Sequence, residues 1–391
     1  MPPSPDIQIE VFGKTDVGLI REHNEDNFLI ADITAGMRSN SLTEPLQLAL
    51  GDKGVVLLVC DGMGGAAAGE VAAQMAVDSV YQTLSVALPM SRDGFARTLR
   101  RAVEGANEAI FVQSRDNQSE RGMGTTCTVA ALNDSTLVVA QIGDSRCYVM
   151  RQGQLAQVTK DQSLAWQLIE AGAMTPEEAK AFEHANIILQ ALGVQDQVEV
   201  VLSQVELRQG DVILLCSDGL HGPVGDEEIV DVLSHERDLK RAGQALIQKA
   251  LDRDGPDNVT VVLARFGGPA LPAPTAQDVV SFVGYDPGQD PTADVPTPMA
   301  PLLASGGVAT VQERIPPELL MQDDVVTKSD GDRLPVVPGG LPQSSARGSR
   351  PPRSMLALFF LALLAAAAGG ISVMKCERDR TAQGETRGGG R

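Results

Sequence analysis

Apolar residues recur along this chain in runs that stop abruptly on an aspartate. Val55 to Cys60 is six apolar residues in succession, long enough for a strand buried on both faces and too short to read as a helix. It ends at Asp61, with Gly62, Gly64 and Gly65 behind it. The stretch from Asp211 to Gly219, DVILLCSDG, repeats the design and ends on Asp218. A third copy is reversed, with Asp257 placed just before the strand Val259 to Phe266. A carboxylate at the mouth of a buried strand is costly unless something positive neutralises it. Three strands that each deliver an aspartate to one end therefore predict a cation site on a β scaffold.

The remaining pattern fills in the elements. Residues 7–31 alternate loosely and contain a polar knot of Arg21, Glu25 and Asp26 before a strand through Phe28, Leu29 and Ile30. Residues 32–54 read as loop. Helical spacing predicts helices over Ala66 to Leu84 and through Phe95, Leu99, Val103, Ala106 and Ile110. Thr125 to Leu132 and Thr136 to Ile142 form a hairpin about Asn133-Asp134, with strands near Cys147 to Met150 and Leu155 to Thr159. Residues 161–193 change to exposed helical character, with a helix start at Thr175-Pro176-Glu177, and read as a small subdomain inserted between strands. Val198 to Leu207 returns to strand, Asp226 to Leu233 and Lys240 to Leu251 are helices, and Val259 to Phe266 closes the domain. Strict βαβα alternation is absent, so antiparallel sheets flanked by helices are expected: an α+β fold.

Composition changes after Gly267. Residues 268–354, rich in Pro, Ala, Gln and Asp, are expected to be a disordered linker, with a candidate docking motif at Ile315 to Leu320. Met355 to Met374 is a twenty-residue stretch without a charge, the length of a transmembrane helix, and 375–391 is a short basic tail. Arginines and a lysine flank that stretch on both sides, so charge does not set its orientation. The opening MPPSPDIQIE has no apolar signal-peptide core, and five cysteines without CxxC spacing suit a reducing compartment. The expectation is a single-pass protein of the cell membrane with residues 1–267 in the cytoplasm.

The chain holds 51 acidic and 32 basic residues, a formal charge of −19, which argues against a nucleic-acid partner. With four His, a His-rich zinc or copper site is not expected. Carboxylates suit Mn²⁺ or Mg²⁺ instead. Asp61, Asp218 and Asp257 supply carboxylates, Gly62 a carbonyl, and Glu25 and Asp26 are placed to hold metal-bound waters. Two such cations lower the pKa of a water and aim it at phosphorus, with Arg21 as a bidentate clamp on phosphate oxygens.

The series RxxNED (Arg21 to Asp26), VCDGMGG (Val59 to Gly65), GMGTTC (Gly122 to Cys127), GDSR (Gly143 to Arg146), SDGL (Ser217 to Leu220) and DNVT (Asp257 to Thr260) resembles the metal-dependent type 2C serine/threonine protein phosphatases of bacteria. The resemblance covers residues 7–266. It implies a four-layer αββα sandwich of two antiparallel sheets, a binuclear Mn²⁺ or Mg²⁺ centre between them, and a mobile flap at about 161–193. It implies that Asp61 bridges the two metals, Gly62 gives its carbonyl, Asp218 and Asp257 bind the second metal, and Glu25 and Asp26 act through water. Asp144 of GDSR, with Asp218, corresponds to a third metal site. Two positions depart from the pattern. Met63 stands where animal members carry a His proposed as general acid, and Gly222 stands where some relatives supply a further aspartate. His23, near the knot, matches no catalytic position of the family.

The function implied is a membrane-tethered phosphatase acting on phosphoserine and phosphothreonine of proteins that a Ser/Thr kinase modifies. Two rivals are a partner-switching phosphatase of a phosphorylated anti-sigma-factor antagonist, and a catalytically dead fold used as a binding module. The second conflicts with the presence of every core carboxylate and of Arg21.

Overall fold

A computed structural model describes residues 7–64, 68–88, 91–179, 182 and 187–287. In chain order the elements are β1 (Gln8–Asp16), β2 (Asp26–Asp32), β3 (Met37–Ser39), β4 (Leu46–Ala49), β5 (Val55–Met63), α1 (Ala68–Ser85), α2 (Arg92–Asp116), β6 (Gly124–Thr125), β7 (Cys127–Leu132), β8 (Thr136–Ile142), β9 (Arg146–Arg151) and β10 (Gln154–Gln157). There follow α3 (Leu164–Glu170), α4 (Pro176–Ala179), β11 (Val201–Glu206), β12 (Val212–Cys216), α5 (Asp218–His221), α6 (Asp226–His235), α7 (Leu239–Leu251), β13 (Val259–Gly267) and β14 (Phe282–Gly284).

Two antiparallel sheets carry the fold. One has the order β10-β9-β12-β13-β1-β4; the other runs β14-β11-β8-β7-β5-β2-β3, with β6 paired to β5. Three hydrophobic clusters correspond to the three contacts of four layers. Val56, Leu58 and Cys60 of β5 pack with Ala72, Ala76, Leu99 and Val103 of α1 and α2. Val55, Leu57 and Val59 instead meet Ile213, Leu215, Val262 and Ala264 between the sheets. On the far side Leu214, Val261 and Leu263 pack with Leu239, Ala242 and Leu246 of α7. This is the expected αββα sandwich, and the strict period of two along β5 assigns each side chain to its layer.

That period also decides which polar residues face inward. Asp61 continues the 55-57-59 row into the space between the sheets. By the same count Asp26 precedes Phe28 and Ile30, Ser217 follows Ile213 and Leu215, and Thr260 precedes Val262 and Ala264. All four lie at one end of the inter-sheet layer.

The structure corrects two readings and bears out a third. Residues 32–54 are not all loop: they hold β3 and β4, short edge strands whose few residues leave too little periodicity to detect. Among its described residues the inserted segment holds two short helices, α3 and α4, the second starting where the sequence placed it and opened by a reciprocal Thr175–Glu178 capping box. The folded unit also runs past Gly267. Leu271 is 2% exposed in the inter-sheet core, β14 adds to β11 at the sheet edge, and Tyr285 packs on the helix layer. The side chains of Arg97 and Arg151 bind the carbonyls of Pro287 and Val279. Residues 268–287 are therefore part of the domain rather than the start of the linker. The rest of that stretch, the twenty-residue apolar segment and the tail lie outside the described residues. Among the described residues, no helix is long and apolar enough to cross a membrane.

Candidate active site

The site is assembled at the open end of the inter-sheet layer, where β5 and β2 run side by side with Asp61 opposite Asp26. The backbone of Asp61 is held at both ends of its peptide. Its N–H donates to Thr126 Oγ1 at 2.9 Å, and its carbonyl accepts from the Thr126 N–H at 2.8 Å and from Thr125 Oγ1 at 2.9 Å. That is what the two threonines of GMGTTC do. The next residue, Gly62, lies against the start of α1. A Cβ there would collide with the carbonyl oxygens of Gly69 and Glu25, so the strand, the helix and the polar knot approach this closely only with glycine in place.

The knot is pinned from the other sheet. Asn258 Oδ1 accepts from the Glu25 N–H at 2.7 Å, and Asn258 Nδ2 donates to the carbonyls of Val17 and His23 at 2.9 Å each. Asp26 Oδ2 accepts from Ser217 Oγ at 2.7 Å and from Thr260 Oγ1 at 2.6 Å. Asn258, Ser217 and Thr260 were not singled out from the sequence. Their signal was present, since all three sit inside the SDGL and DNVT motifs beside the aspartates. Asp144 follows Gly143, whose φ of +96° and contact with Thr126 demand glycine, and its carbonyl lies 3.1 Å from His221 Nε2. Arg21, about half exposed, reaches across the rim to Asp257 at 2.7 Å.

Electrostatics in this cluster are unfavourable to its own charges. Burial, then repulsion from Asp26, Asp218 and Asp144, holds the Asp61 carboxyl far above the usual range. Burial pushes Asp26 up to about 7 despite its two hydroxyl donors. Asp144 rises to about 7, from burial and from Asp218 beside it, and Asp218 is raised by burial and by Asp257. Glu25 is raised by burial, partly offset by Arg21. Two carboxylate oxygens, Asp26 Oδ1 and Asp218 Oδ1, are buried with no hydrogen-bond partner. Buried carboxylate oxygens without a donor are rare unless a cation serves them.

The structure thus brings Arg21, Glu25, Asp26, Asp61, Gly62, Asp144, Asp218 and Asp257 to one place. Among the described residues, no three acidic, His or Cys side chains close on one point as a ready-made cage. The donor set is nevertheless all oxygen and holds orphaned carboxylate oxygens. It fits hard cations of the Mg²⁺ type, which keep several waters and take only one or two carboxylates each. His23 contributes its carbonyl to Asn258. Met63 is 39% exposed and offers no proton to the site.

The profile of the family Protein phosphatase 2C matches residues 45–264. The chain belongs to that family. The serine/threonine phosphatase stp of Listeria monocytogenes is 35% identical over 254 residues, 64% of this chain and 93% of that protein. PstP of Mycobacterium tuberculosis is 39% identical over 253 residues, 64% of this chain and 44% of that protein. The crystal structure of the M. tuberculosis phosphatase superposes with a TM-score of 0.57 at 36% identity, covering 66% of this chain and 98% of that one. A structure of the PstP catalytic domain in complex with two manganese ions gives 0.56 at 36% identity, covering 67% and 99%. The two sheets and flanking helices described above are the 2C phosphatase fold.

Proposed function

We propose that this chain, a protein-serine/threonine phosphatase by its family membership, hydrolyses phosphoserine and phosphothreonine with two divalent cations bound at the inter-sheet aspartates. The observation that carries the reading is the pair of orphaned buried oxygens, Asp26 Oδ1 and Asp218 Oδ1, inside a cluster whose carboxylates repel one another. Asp61 would serve both cations, Gly62 would give its carbonyl, Asp218 and Asp257 would bind the second, and Glu25 and Asp26 would act through water. Asp144 with Asp218 would hold a third. When bound, Mn²⁺ or Mg²⁺ supplies the Lewis acidity that makes water a nucleophile toward phosphorus at neutral pH.

The protein groups do the positioning. Arg21 presents a planar fork at the rim, where substrate phosphate exchanges for the Asp257 carboxylate it now holds. Ser217 and Thr260 fix Asp26, and Asn258 fixes the Glu25 backbone, so the acidic groups keep their places while charge at the centre changes. Membrane tethering through residues 355–374, with the catalytic domain on the cytoplasmic side and targets of a Ser/Thr kinase as substrates, belongs to the same proposal. It is supported by the apolar run and by four buried free thiols in the domain, at Cys60, Cys127, Cys147 and Cys216.

The test is a titration of the full chain with Mn²⁺ on p-nitrophenyl phosphate and on a phosphothreonine peptide. Metal-stimulated hydrolysis that Asp61→Ala abolishes is expected; turnover undiminished by chelator, or no turnover on either substrate, overturns the reading. Arg21→Ala should raise KM with metal affinity nearly unchanged. For the tether, a reporter active only outside the cytoplasm and fused to Arg391 should give signal, and a silent reporter refutes the topology.

A further inference from the structure

Beside the acidic cluster lies a second feature that the motifs do not mention. The side chains of Asp61 and Met63 are two residues apart on β5 and so share one face, separated by about 7 Å along the strand. Asp61 points into the cluster, whereas Met63 forms the wall of a cavity of about 60 Å³. The other walls are Ile188, Leu189, Ala191, Val194 and Val198, with three glutamines and no charged side chain. This lining comes from the segment that follows the flap helices. The segment is tied to the site by paired Thr125 and Leu192 backbones, at 3.1 and 2.8 Å, and by Asn107, whose Oδ1 accepts from the Gly193 N–H at 2.8 Å. Met63, Leu189 and Val194 remain 39%, 40% and 48% exposed, although they border a buried sheet end in a chain of formal charge −19.

Resting on the phosphatase reading, we infer that this cavity is the subsite for an uncharged aliphatic side chain flanking the phosphorylated residue of the substrate. Three observations favour that occupant. The volume is far below the several hundred Å³ of a cofactor or nucleotide pocket and suits one short side chain. Its spacing from Asp61 is that between side chains of an extended peptide two residues apart, about 7 Å. The lining has no counter-ion, so a Lys, Glu or Asp placed in it would be desolvated without a partner. Met63 joins the cavity to the strand that carries Asp61, so a peptide whose phosphate lies at Asp61 has this cavity within reach of a flanking side chain. The enzyme therefore selects for sequence around the phosphoresidue at this one subsite, while the phosphate itself is recognised at the acidic centre.

The experiment uses the full chain with saturating Mn²⁺ and a set of phosphothreonine peptides identical except at the two residues on either side of the phosphothreonine, where Gly, Val, Leu, Glu or Lys is placed. The readout is the ratio of kcat/KM values within one enzyme, with p-nitrophenyl phosphate run in parallel. A preference for Val or Leu over Gly, Glu and Lys of about tenfold at one position is expected, the effect of filling a small apolar pocket. Leu189→Ala widens the pocket and should move the preference from Val to Leu; Val194→Phe fills it and should bring the Val-to-Gly ratio near one. Equal kcat/KM for all flanking residues, with p-nitrophenyl phosphate still turned over, overturns the subsite and leaves the phosphatase reading standing. So does a preference that neither variant alters. Loss of p-nitrophenyl phosphate hydrolysis in the unmodified chain would instead overturn the phosphatase reading itself.

Discussion

The strand β12 carries an aspartate at each end, and the two ends have opposite chemistry. Asp211, just before the strand, is 1% exposed and meets Arg151 through two hydrogen bonds, Nε to Oδ1 at 2.9 Å and Nη2 to Oδ2 at 2.7 Å. The Arg208 N–H adds a third, and Arg151 Nη2 also donates to the Glu206 carbonyl. Asp218, just after the strand, is buried too, but one of its oxygens has no partner and its near neighbours are Asp61, Asp144 and Asp257. Both ends belong to the same layer, and the same residue type is withdrawn from water at each. At one end the protein supplies the positive charge from its own chain. At the other, Arg21 is half exposed at the rim and holds Asp257, and Arg146, which lies near Asp144, is engaged by Asp161. An uncompensated buried carboxylate costs several kcal/mol. A fold that satisfies this at one end and leaves it unmet at the other keeps the second end for an external cation.

The contrast can be broken most strongly at the satisfied end. Arg151→Leu leaves Asp211 buried without its counter-ion and should destabilise the protein by about 3–5 kcal/mol, measured by denaturant unfolding of the metal-free protein. At the other end Asp218→Asn removes one of several like charges. Its metal-free melting temperature should not fall, whereas its Mn²⁺-dependent activity should drop more than about 100-fold, beyond what loss of a supporting partner costs. A fall in melting temperature comparable with that of Arg151→Leu would show the two ends to be equivalent, which the comparison denies.

A smaller effect sharpens the boundary of the satisfied end, because Arg151 also binds the Val279 carbonyl. A chain stopped at Phe266 loses buried Leu271 and the β14 edge, and should be less stable by about 2 kcal/mol. A chain stopped at Pro287 should recover that loss, and equal stability of the two truncations would return the boundary to Gly267. The last expected effect is in pH. Asp26 and Asp144, both near 7 in the fold against about 4 unfolded, favour folding while neutral. Their contribution is complete below about pH 4 and is lost as pH rises through about 7, the reverse of ordinary acid denaturation. In chelator, the melting temperature should therefore fall between pH 5 and pH 8, and saturating Mn²⁺ should flatten the slope.

Much of the site was legible because its aspartates end apolar runs, and a run of six apolar residues followed by Asp-Gly has few other uses. Arg21, Glu25, Asp26, Asp61, Asp144, Asp218 and Asp257 were named from pattern and motif, and the fold brings them together. What the pattern missed depends on proximity between segments distant in sequence. Ser217 and Thr260 matter only because two strands from the opposite sheet place both hydroxyls on Asp26. Residues 268–287 read as linker because three exposed strand residues carry no amphipathic signal; only the unpaired edge of β11 makes them a strand. β3 and β4 were passed over for the same reason.

The amino-acid sequence by itself determined the layer to which each strand residue points, since side chains alternate with a period of two and the apolar rows run unbroken to the polar ends. It also determined which residue types carry the chemistry. Only the tertiary structure decided which buried aspartates are satisfied, because Asp211 and Asp218 look alike in sequence, seven residues apart and flanking one strand. Their difference lies in what the neighbouring strands deliver: β9 ends on Arg151 at one side, while β5 and the start of β13 bring further carboxylates to the other. Charge compensation acts over a few ångströms in space, and no local pattern along the chain encodes it.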